Sequence, residues 1–259
     1  MKWAFHCVRC GAAAAYSANT MRTNGLFSIW TSECTLCAAR AHGQALCATC
    51  IRELPRCAYA CPRCARAMPQ RETCGRCIRK SESIAFDATF AAIRYTFPSD
   101  ILVAAAKYQG DLAVARTLGA LLADAIQAEI SPTELGSLDL VLPIPLAPGR
   151  QAERGYNQAA EIARVIAKRF ALPLASDLMR TRETEKQADL PLNQRLRNVR
   201  NAFSAASLER PLAGKHVLLV DDVMTTGATL NEAAKALKEA GAARVTVAVV
   251  ARAVARKNL

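Results

Sequence analysis

An apolar run that ends in two adjacent carboxylates and a threonine–glycine turn constrains this chain more than any other feature. The run is VLLVDDVMTTGATL, Val217 to Leu230. Its apolar start predicts a buried strand, and the spacing that follows predicts a helix from about Thr229 to Ala240, ended by Gly241. The turn between them is either an ordinary strand-to-helix connection or a binding site for a phosphorylated sugar.

The turn residues 225–229, called the threonine loop below, have the composition of a phosphate site. Amides exposed at a helix start carry partial positive charge and bind phosphate well. Gly227 lets the backbone approach a ligand closely. The hydroxyls of Thr225, Thr226 and Thr229 add donors beside the amide of Ala228. An ordinary helix cap would explain only one of these threonines.

Asp221 and Asp222 precede the loop and would repel a phosphate. Carboxylates suit sugar hydroxyls or a divalent cation instead. Burying such charges at a strand end without a partner costs several kcal/mol, which argues against an ordinary connection. The segment therefore predicts a phosphate cradle beside a clamp for hydroxyls or metal, which fits a ribose that carries a 5-phosphate.

Strands and helices alternate in the C-terminal two thirds of the sequence. This alternation predicts an α/β fold with a parallel sheet, in which ligands bind beyond the carboxyl ends of the strands. The segment 86–97 is a strand or one arm of a hairpin, and the helical segment after it is interrupted near Gly110. We predict further strands at 138–146, 215–222 and 244–253, and helices over 101–130 and 157–170.

Eleven cysteines all lie between Cys7 and Cys77, and eight of them from Cys34 onward form four CxxC pairs. A secreted disulfide framework is one interpretation, but the odd count and the CxxC spacing favour a metal in a reducing compartment. Nine residues separate the first pair from the second and the third from the fourth, which indicates an internal duplication.

Four thiolates bind one tetrahedral zinc ion, so four pairs predict two zinc sites. Sequential pairing is the simplest, and a crossed pairing of first with third and second with fourth stays open. We expect a structural role rather than redox chemistry, because these 48 residues hold few large apolar side chains. The predicted ligands are Cys34, Cys37, Cys47 and Cys50 for one site, and Cys61, Cys64, Cys74 and Cys77 for the other.

The formal net charge of +12 is concentrated in the N-terminal third, where residues 1–80 hold twelve Lys and Arg but three Asp and Glu. These cations either follow a nucleic-acid backbone or form a solvated face. Few aromatic residues lie among them, so base stacking is not indicated there. The candidates are Arg52, Arg56, Arg63, Arg66, Arg71, Arg76, Arg79 and Lys80.

The composition divides the chain into three segments. We expect an N-terminal extension with little order over 1–32, a zinc-binding module over 33–80 and the α/β domain over 81–259. The N-terminus does not match a secretory signal, and no run approaches the roughly 18–20 apolar residues that a membrane span needs. We therefore expect a cytoplasmic protein without membrane insertion.

Three stretches carry a family resemblance. VLLVDDVMTTGAT resembles the phosphoribosyl-pyrophosphate signature of the type I phosphoribosyltransferases at each of its thirteen positions. PIPLAPGRQAERGYNQ (143–158) and RTRETEKQADLPLNQRLRNVRNAF (180–203), with the cysteine block ahead, resemble the ComF (competence protein F) family over roughly residues 33–253. Ala147 departs from the family pattern, which usually has histidine, and this weakens any role for that position.

The resemblance implies a type I phosphoribosyltransferase-like parallel sheet flanked by helices, behind a small N-terminal double zinc ribbon. Asp221 and Asp222 would hold the ribose hydroxyls, directly or through Mg²⁺. The threonine loop would bind the 5-phosphate, and the turn after LVLPIP would face pyrophosphate.

The implied reaction is Mg²⁺-dependent displacement at the anomeric carbon of phosphoribosyl pyrophosphate, with an unidentified acceptor. Basic side chains near the site would stabilise the departing pyrophosphate, although each could equally be a solvated surface residue. Asn157 and Gln158 orient substrate or cap the next helix. No residue is indicated as a general base. The basic candidates are Lys107, Arg150, Arg154 and Arg182.

The alternative function is a non-catalytic protein that binds single-stranded DNA through the same phosphate site during DNA uptake. The basic N-terminal third favours it, and the resemblance to competence proteins adds to it.

Overall fold

The computed structural model describes residues 4–6, 13–15, 32–57, 59–176, 178–181, 199–205 and 211–253. In chain order the strands are β1 (Ala4–His6), β2 (Ala13–Ala15), β3 (Ala88–Arg94), β4 (Leu140–Pro143), β5 (Met179–Arg180), β6 (Phe203–Ser204), β7 (His216–Met224) and β8 (Arg244–Arg252). β1 and β2 pair with each other. Cys7, Cys10 and most of the predicted extension lie outside the described residues.

Four parallel strands form the main sheet in the order β3–β8–β7–β4. Their residues are almost entirely buried, as expected for a parallel sheet covered on both faces. The predicted parallel α/β sheet is therefore confirmed. The segment 86–97 contributes a parallel strand, β3, rather than a hairpin arm.

The helices are α1 (Ala48–Glu53), α2 (Gly75–Arg79), α3 (Ser99–Tyr108), α4 (Leu112–Glu129), α5 (Pro132–Gly136), α6 (Pro148–Arg154), α7 (Gln158–Phe170) and α8 (Ala228–Glu239). The predicted interruption near Gly110 separates α3 from α4, because Gly110 has φ +67° and Asp111 caps the next helix through the amides of Ala113 and Val114. No helix in the described ranges is long and apolar enough to cross a membrane.

Alternating side chains of the central strands enter two separate apolar clusters. Leu218 and Val220 of β7 face the layer that contains α3, α4 and α7. Val217 and Leu219 face the layer that contains α8 and the β5–β6 arm. This two-faced burial fixes the register of β7, and with it the side to which each aspartate points.

The cysteine-rich module is a structural repeat with a period of 27 residues, as Cys34 and Cys61 illustrate. Antiparallel bridges join Glu33 to Arg40 and, one repeat later, Ala60 to Ala67. Each half then ends in a short helix, α1 or α2, whose N-cap is a cysteine. These matched features confirm the duplication indicated by the spacing.

The module covers the outer edge of β3. An antiparallel bridge joins Arg56 to Ile93, and the amide of Thr89 donates to the carbonyl of Pro62 at 2.9 Å. The Thr89 hydroxyl also donates to the carbonyl of Arg63 at 2.7 Å. An uncovered strand edge would be open to pairing with another chain, so the module completes the sheet on this side.

Candidate functional site

The threonine loop connects the carboxyl end of β7 to the start of α8. Gly227 is the N-cap of α8 and has φ +83°, a left-handed conformation that favours glycine. A Cβ atom there would lie 2.6 Å from Cε of Met224. Asp221 and the loop line a cavity of about 20 Å³, enough for one water-sized group.

The two aspartates of the signature have different surroundings, because β7 continues beyond them to Met224 and successive side chains alternate. Asp222 is 4% exposed. Its Oδ1 lies 3.0 Å from Nζ of Lys107, and its Oδ2 accepts a hydrogen bond from Nε2 of Gln158 at 3.0 Å. Asp221 is half-buried, lines the loop cavity and accepts the amide of Asp222 through Oδ1 at 2.8 Å.

The electrostatics of the pair follow from this geometry. Burial raises the pKa of Asp221 to about 7, and the negative charge of Asp222 adds to the increase, while Lys107 and Arg180 oppose it. Burial alone would lower the pKa of Lys107, but Asp222 and Asp221 outweigh it, so its pKa is raised. Lys107 is therefore a positively charged partner of Asp222.

Asn157 is the N-cap of α7. Its Oδ1 accepts the amide of Ala159 at 3.0 Å, and its Nδ2 donates to the carbonyl of Ile144 at 2.9 Å in the turn after β4. Of the two roles predicted for this residue, the cap is the one that the structure displays. The side chain also ties the turn that was predicted to face pyrophosphate to the start of α7.

Gln158 and Arg154 extend the contacts of Asp222 toward the surface. Gln158 is 3% exposed, and its Oε1 accepts from Nη1 of Arg154 at 3.3 Å. The guanidinium of Arg154 lies 5.2 Å from the ring centroid of Tyr108, within cation–π range. A chain of contacts thus runs from Arg154 through Gln158 to Asp222.

Two predicted basic residues, Arg150 and Arg182, make no described contact with the aspartates. Arg150 lies in α6, and its Nη2 is shielded from solvent without a hydrogen-bond partner in the described part of the chain. Ala147, at the N-cap of that helix, is fully buried. Arg182 lies outside the described residues. Sequence reasoning missed Arg180, whose charge lowers the pKa of Asp221, because nothing in the sequence pairs β5 with β6.

Exposed aromatic rings near Lys107 are a second feature that the sequence did not reveal. Tyr108 is 72% exposed and Tyr95 is 36% exposed. Burial raises the pKa of the Tyr95 hydroxyl, and Lys107 and Asp222 are close enough to act on it electrostatically. The rings come from the ends of β3 and α3, which only the folded chain brings together.

The eight paired cysteines form two groups in sequential pairing. We call Cys34, Cys37, Cys47 and Cys50 the first cysteine site, and Cys61, Cys64, Cys74 and Cys77 the second cysteine site. The crossed pairing left open by the sequence is wrong. Cys57 belongs to neither group.

The sulfur positions fit zinc. Within each site the four sulfur atoms lie within 4.8 Å of one another, and the Cys37–Cys47 and Cys64–Cys74 sulfur distances are both 3.7 Å. A tetrahedral ion with Zn–S bonds of about 2.3 Å needs sulfur atoms about 3.8 Å apart. Burial raises the pKa of Cys37 to about 11, so a bound cation is what would keep that sulfur ionised.

Comparison with known proteins agrees with both parts of the fold. Residues 155–258 match the model of the phosphoribosyl transferase domain, and residues 26–78 match that of the double zinc ribbon domain. Competence protein F of Haemophilus influenzae is 30% identical over 231 residues, which cover 88% of this chain and 100% of that protein. The chain belongs to the competence protein F family.

Other members of the ComF family align over shorter stretches. DNA utilization protein YhgH of Escherichia coli K12 is 34% identical over 175 residues, which cover 67% of this chain and 75% of that protein. Competence protein ComFC of Streptococcus pneumoniae is 35% identical over 99 residues, which cover 38% of this chain and 41% of that protein.

Part of the basic surface predicted for this ComF protein is used inside the fold. Arg63 donates to the carbonyl of Ile84 at 2.8 Å, and Arg76 donates to the carbonyl of Thr226 at 3.4 Å. Arg71 pairs with Glu129 at 3.3 Å. Of the predicted cations, Arg66 is half-buried, and those that are exposed are Arg52, Arg56, Arg79, Lys80 and the paired Arg71.

A larger cavity of about 570 Å³ lies at the opposite end of β3, between that end of the strand and the second cysteine site. Its charged lining is largely paired, since Arg71 contacts Glu129 and Arg244 contacts Glu134 at 2.7 Å. It is remote from the carboxyl ends of the strands, where this ComF protein carries its threonine loop.

Proposed function

We propose that this protein binds phosphoribosyl pyrophosphate, with the 5-phosphate on the threonine loop and the ribose hydroxyls toward Asp221. The observation that carries the proposal is that Asp221 and the loop line one cavity at the carboxyl end of β7. A helix start attracts the phosphate, and the neighbouring carboxylate accepts hydrogen bonds from the sugar. Phosphoribosyl transfer to an acceptor is the activity that follows.

The site fits one Mg²⁺ ion if Asp221 supplies a ligand and water and the substrate supply the others. Both oxygens of Asp222 are engaged by Lys107 and Gln158, whereas Oδ2 of Asp221 has no hydrogen-bond partner in the described residues. Mg²⁺ commonly takes one or two protein carboxylates and completes its shell with water and substrate phosphates. Asp221 would hold the ion, which supplies positive charge beside the leaving pyrophosphate when it is bound.

The turn after β4 and Arg150 would receive the pyrophosphate. The Nη2 of Arg150, shielded and without a partner in the described part of the chain, is a donor suited to phosphate oxygens. In the transfer, the bond from C1 of the ribose to pyrophosphate breaks with both electrons leaving on oxygen. The acceptor bonds to C1 and releases its proton to solvent, while the positive charge that builds on the sugar would be stabilised by the carboxylate of Asp221.

Calorimetric titration of phosphoribosyl pyrophosphate, with and without Mg²⁺, tests the proposal. We expect wild-type protein to bind, Mg²⁺ to strengthen binding and Asp221→Asn to weaken it by about tenfold or more, the scale of a hydrogen bond to a charged group. Asp124→Asn makes the same change on an exposed part of α4 and is the control. A wild type that does not bind at millimolar ligand would rule the proposal out. Binding without pyrophosphate release across an acceptor library would remove only the transfer step.

A second candidate function is binding of single-stranded DNA through the same phosphate site. The exposed ring of Tyr108, stacked by Arg154, supports it because unpaired bases stack on aromatic rings and guanidinium planes. The names of the relatives, which refer to competence and DNA utilization, point the same way.

Fluorescence anisotropy with labelled oligothymidylate tests this second function. Tyr108→Ala should weaken binding, Tyr108→Trp should retain it, and phosphoribosyl pyrophosphate should compete. Equal affinity of all three proteins would exclude Tyr108 as a stacking platform and with it this version of the function.

A further inference from the structure

A buried arginine joins the second cysteine site to the threonine loop. Arg252, the last residue of β8, is 4% exposed. Its Nη1 donates to the carbonyls of Met224 at 2.8 Å, Thr225 at 2.6 Å and Ala253 at 2.8 Å. Its Nε donates to the carbonyl of Cys64 at 2.8 Å. One guanidinium therefore holds the backbone of a cysteine knuckle and the entry to the loop together.

A second arginine adds to this contact from the module. Arg76 lies in α2, between Cys74 and Cys77, and donates to the carbonyl of Thr226 at 3.4 Å. The carbonyls of Met224, Thr225 and Thr226 are thus all held by guanidinium groups.

These contacts have a consequence for ligand binding. A trans peptide unit is planar, with its carbonyl and the following N–H pointing in opposite directions. Holding three successive carbonyls toward the module therefore directs the amides of Thr225, Thr226 and Gly227 to the other side. Those amides belong to the loop that we assign to the 5-phosphate.

The guanidinium of Arg252 is also a buried cation that lies against the second cysteine site. No carboxylate in the described ranges lies within ion-pair distance of its guanidinium. Zinc ligation keeps thiols deprotonated, so a four-thiolate site carries net negative charge next to this buried cation.

Among the described residues, no side chain joins the first cysteine site to the threonine loop. Its cysteines pack into the cluster that contains α3, α4 and α7, on the face of the sheet away from the loop. The second cysteine site packs into the cluster that contains Phe86, Met224 and Leu230, on the face that carries α8. Two similar sites of one repeat thus have different neighbours.

We propose that the second cysteine site positions the threonine loop, through Arg252 and Arg76, and that loss of zinc from this site alone loosens the loop and weakens ligand binding. The part that concerns ligand rests on the function proposed above. The part that concerns the loop does not, since it is a property of the protein without ligand.

A matched pair of variants separates the two sites. Cys47 and Cys74 are equivalent in the repeat, and each is the N-cap of the short helix that follows it. Cys47→Ser and Cys74→Ser should each reduce zinc content from two ions to one per full-length chain. Without ligand, we expect Cys74→Ser to speed hydrogen exchange in the peptide 224–229 by about tenfold or more, and Cys47→Ser to leave it within about twofold. Similar exchange in the two variants would overturn the proposal.

Arg252→Lys tests the connection while both zinc sites remain intact. Lysine keeps the buried positive charge but cannot span the carbonyls of Cys64, Met224 and Thr225 as the planar guanidinium does. We expect two zinc ions per chain, wild-type exchange in the first cysteine site and faster exchange in the loop. Unchanged loop exchange at full zinc content would refute a role for Arg252, and this readout keeps the test valid if Cys74→Ser does not fold.

Calorimetry of the same proteins with phosphoribosyl pyrophosphate tests the effect on ligand binding separately from the effect on the loop. Weaker binding by Cys74→Ser and Arg252→Lys, with Cys47→Ser like wild type, supports the whole proposal. If wild type itself does not bind, the proposed function fails, while the exchange results still decide whether the zinc site holds the loop. Normal affinity in a variant with a loosened loop would refute the link to binding.

Discussion

Nζ of Lys107 lies 3.0 Å from Oδ1 of Asp222, and this ion pair joins α3 to β7 at the second of the two signature aspartates. The side chains are 23% and 6% exposed, so the pair is largely shielded from solvent. Gln158 occupies the other carboxylate oxygen. Asp222 therefore links β7 to α3 and α7 through these two contacts. Asp221 is the carboxylate that remains available to a ligand.

Removing one member of this pair should cost stability. Lys107→Met leaves the Asp222 carboxylate buried without its cation, and we expect a loss of about 2–3 kcal/mol, less than for a fully buried pair because Lys107 keeps some solvent access. The double variant Lys107→Met/Asp222→Leu should lose less than the sum of the single variants. Urea unfolding of the four proteins measures this cycle, and strict additivity would show that the pair is not coupled.

The pKa of Asp221 predicts a trade-off between stability and binding. Its value of about 7 in the folded protein, raised by burial and by Asp222, exceeds the ordinary value of 3.8. The folded state therefore binds more protons than the unfolded state between these values, and Asp221 costs stability as pH rises through this window. Asp221→Asn should stabilise the ligand-free protein at pH 8 by about 1–3 kcal/mol, and by much less near pH 4. Thermal unfolding at both pH values checks this, and equal shifts would contradict it.

Ligand binding should strengthen as pH rises through about 7, whereas the stability of the ligand-free protein should fall. The charged form of Asp221 is the one that holds Mg²⁺ or accepts from ribose hydroxyls, so affinity for phosphoribosyl pyrophosphate should fall as pH drops through about 7. Asp221→Asn should bind weakly at every pH. A wild-type affinity that stays constant between pH 6 and 8 would show that Asp221 does not titrate in this range or does not contact the ligand.

Gly227→Ala should be strained mainly by its backbone. It imposes φ +83° on an alanine, and its Cβ lies 2.6 Å from Cε of Met224, the flexible end of a side chain that has to shift. We expect a loss of about 1–2 kcal/mol of stability and weaker ligand binding. Gly136→Ala is the matched control, since a Cβ there meets nothing within 4 Å and the position lies in α5. Comparable behaviour of the two variants would argue against a strained loop.

The sequence predicted the features that depend on interactions within a few residues. The apolar run before Asp221 gave β7, Gly110 marked the break between α3 and α4, and the cysteine spacing indicated the duplication. Each of these depends on periodicity or on backbone freedom within a few residues. The threonine loop was found for the same reason.

Contacts between distant segments could not be predicted in this way. Arg252 ends an apolar strand and resembles a solvated terminal residue until Cys64 is placed beside it. The spacing of the cysteines is compatible with both pairings, and only the folded positions of the knuckles select the sequential one. The different roles of the two aspartates depend on the continuation of β7 beyond them, a boundary that sequence patterns locate poorly.

Variants of Asn157 should distinguish binding of the pyrophosphate group from binding of the 5-phosphate. Asn157→Ala removes both the cap on α7 and the bond to the carbonyl of Ile144, and it should cost about 1 kcal/mol or more. Asn157→Asp keeps an oxygen for the amide of Ala159 but cannot donate to Ile144, so it should retain the cap and lose the tether.

Both variants of Asn157 should therefore bind phosphoribosyl pyrophosphate more weakly, because the turn after β4 is no longer held. Ribose 5-phosphate lacks the pyrophosphate group and should bind both variants with wild-type affinity, which calorimetry can measure. Only Asn157→Ala should show lower thermal stability from loss of the cap. If the two ligands lost affinity equally, the turn would have no separate part in holding pyrophosphate, and the effect of Asn157 would lie in the packing of α7 alone.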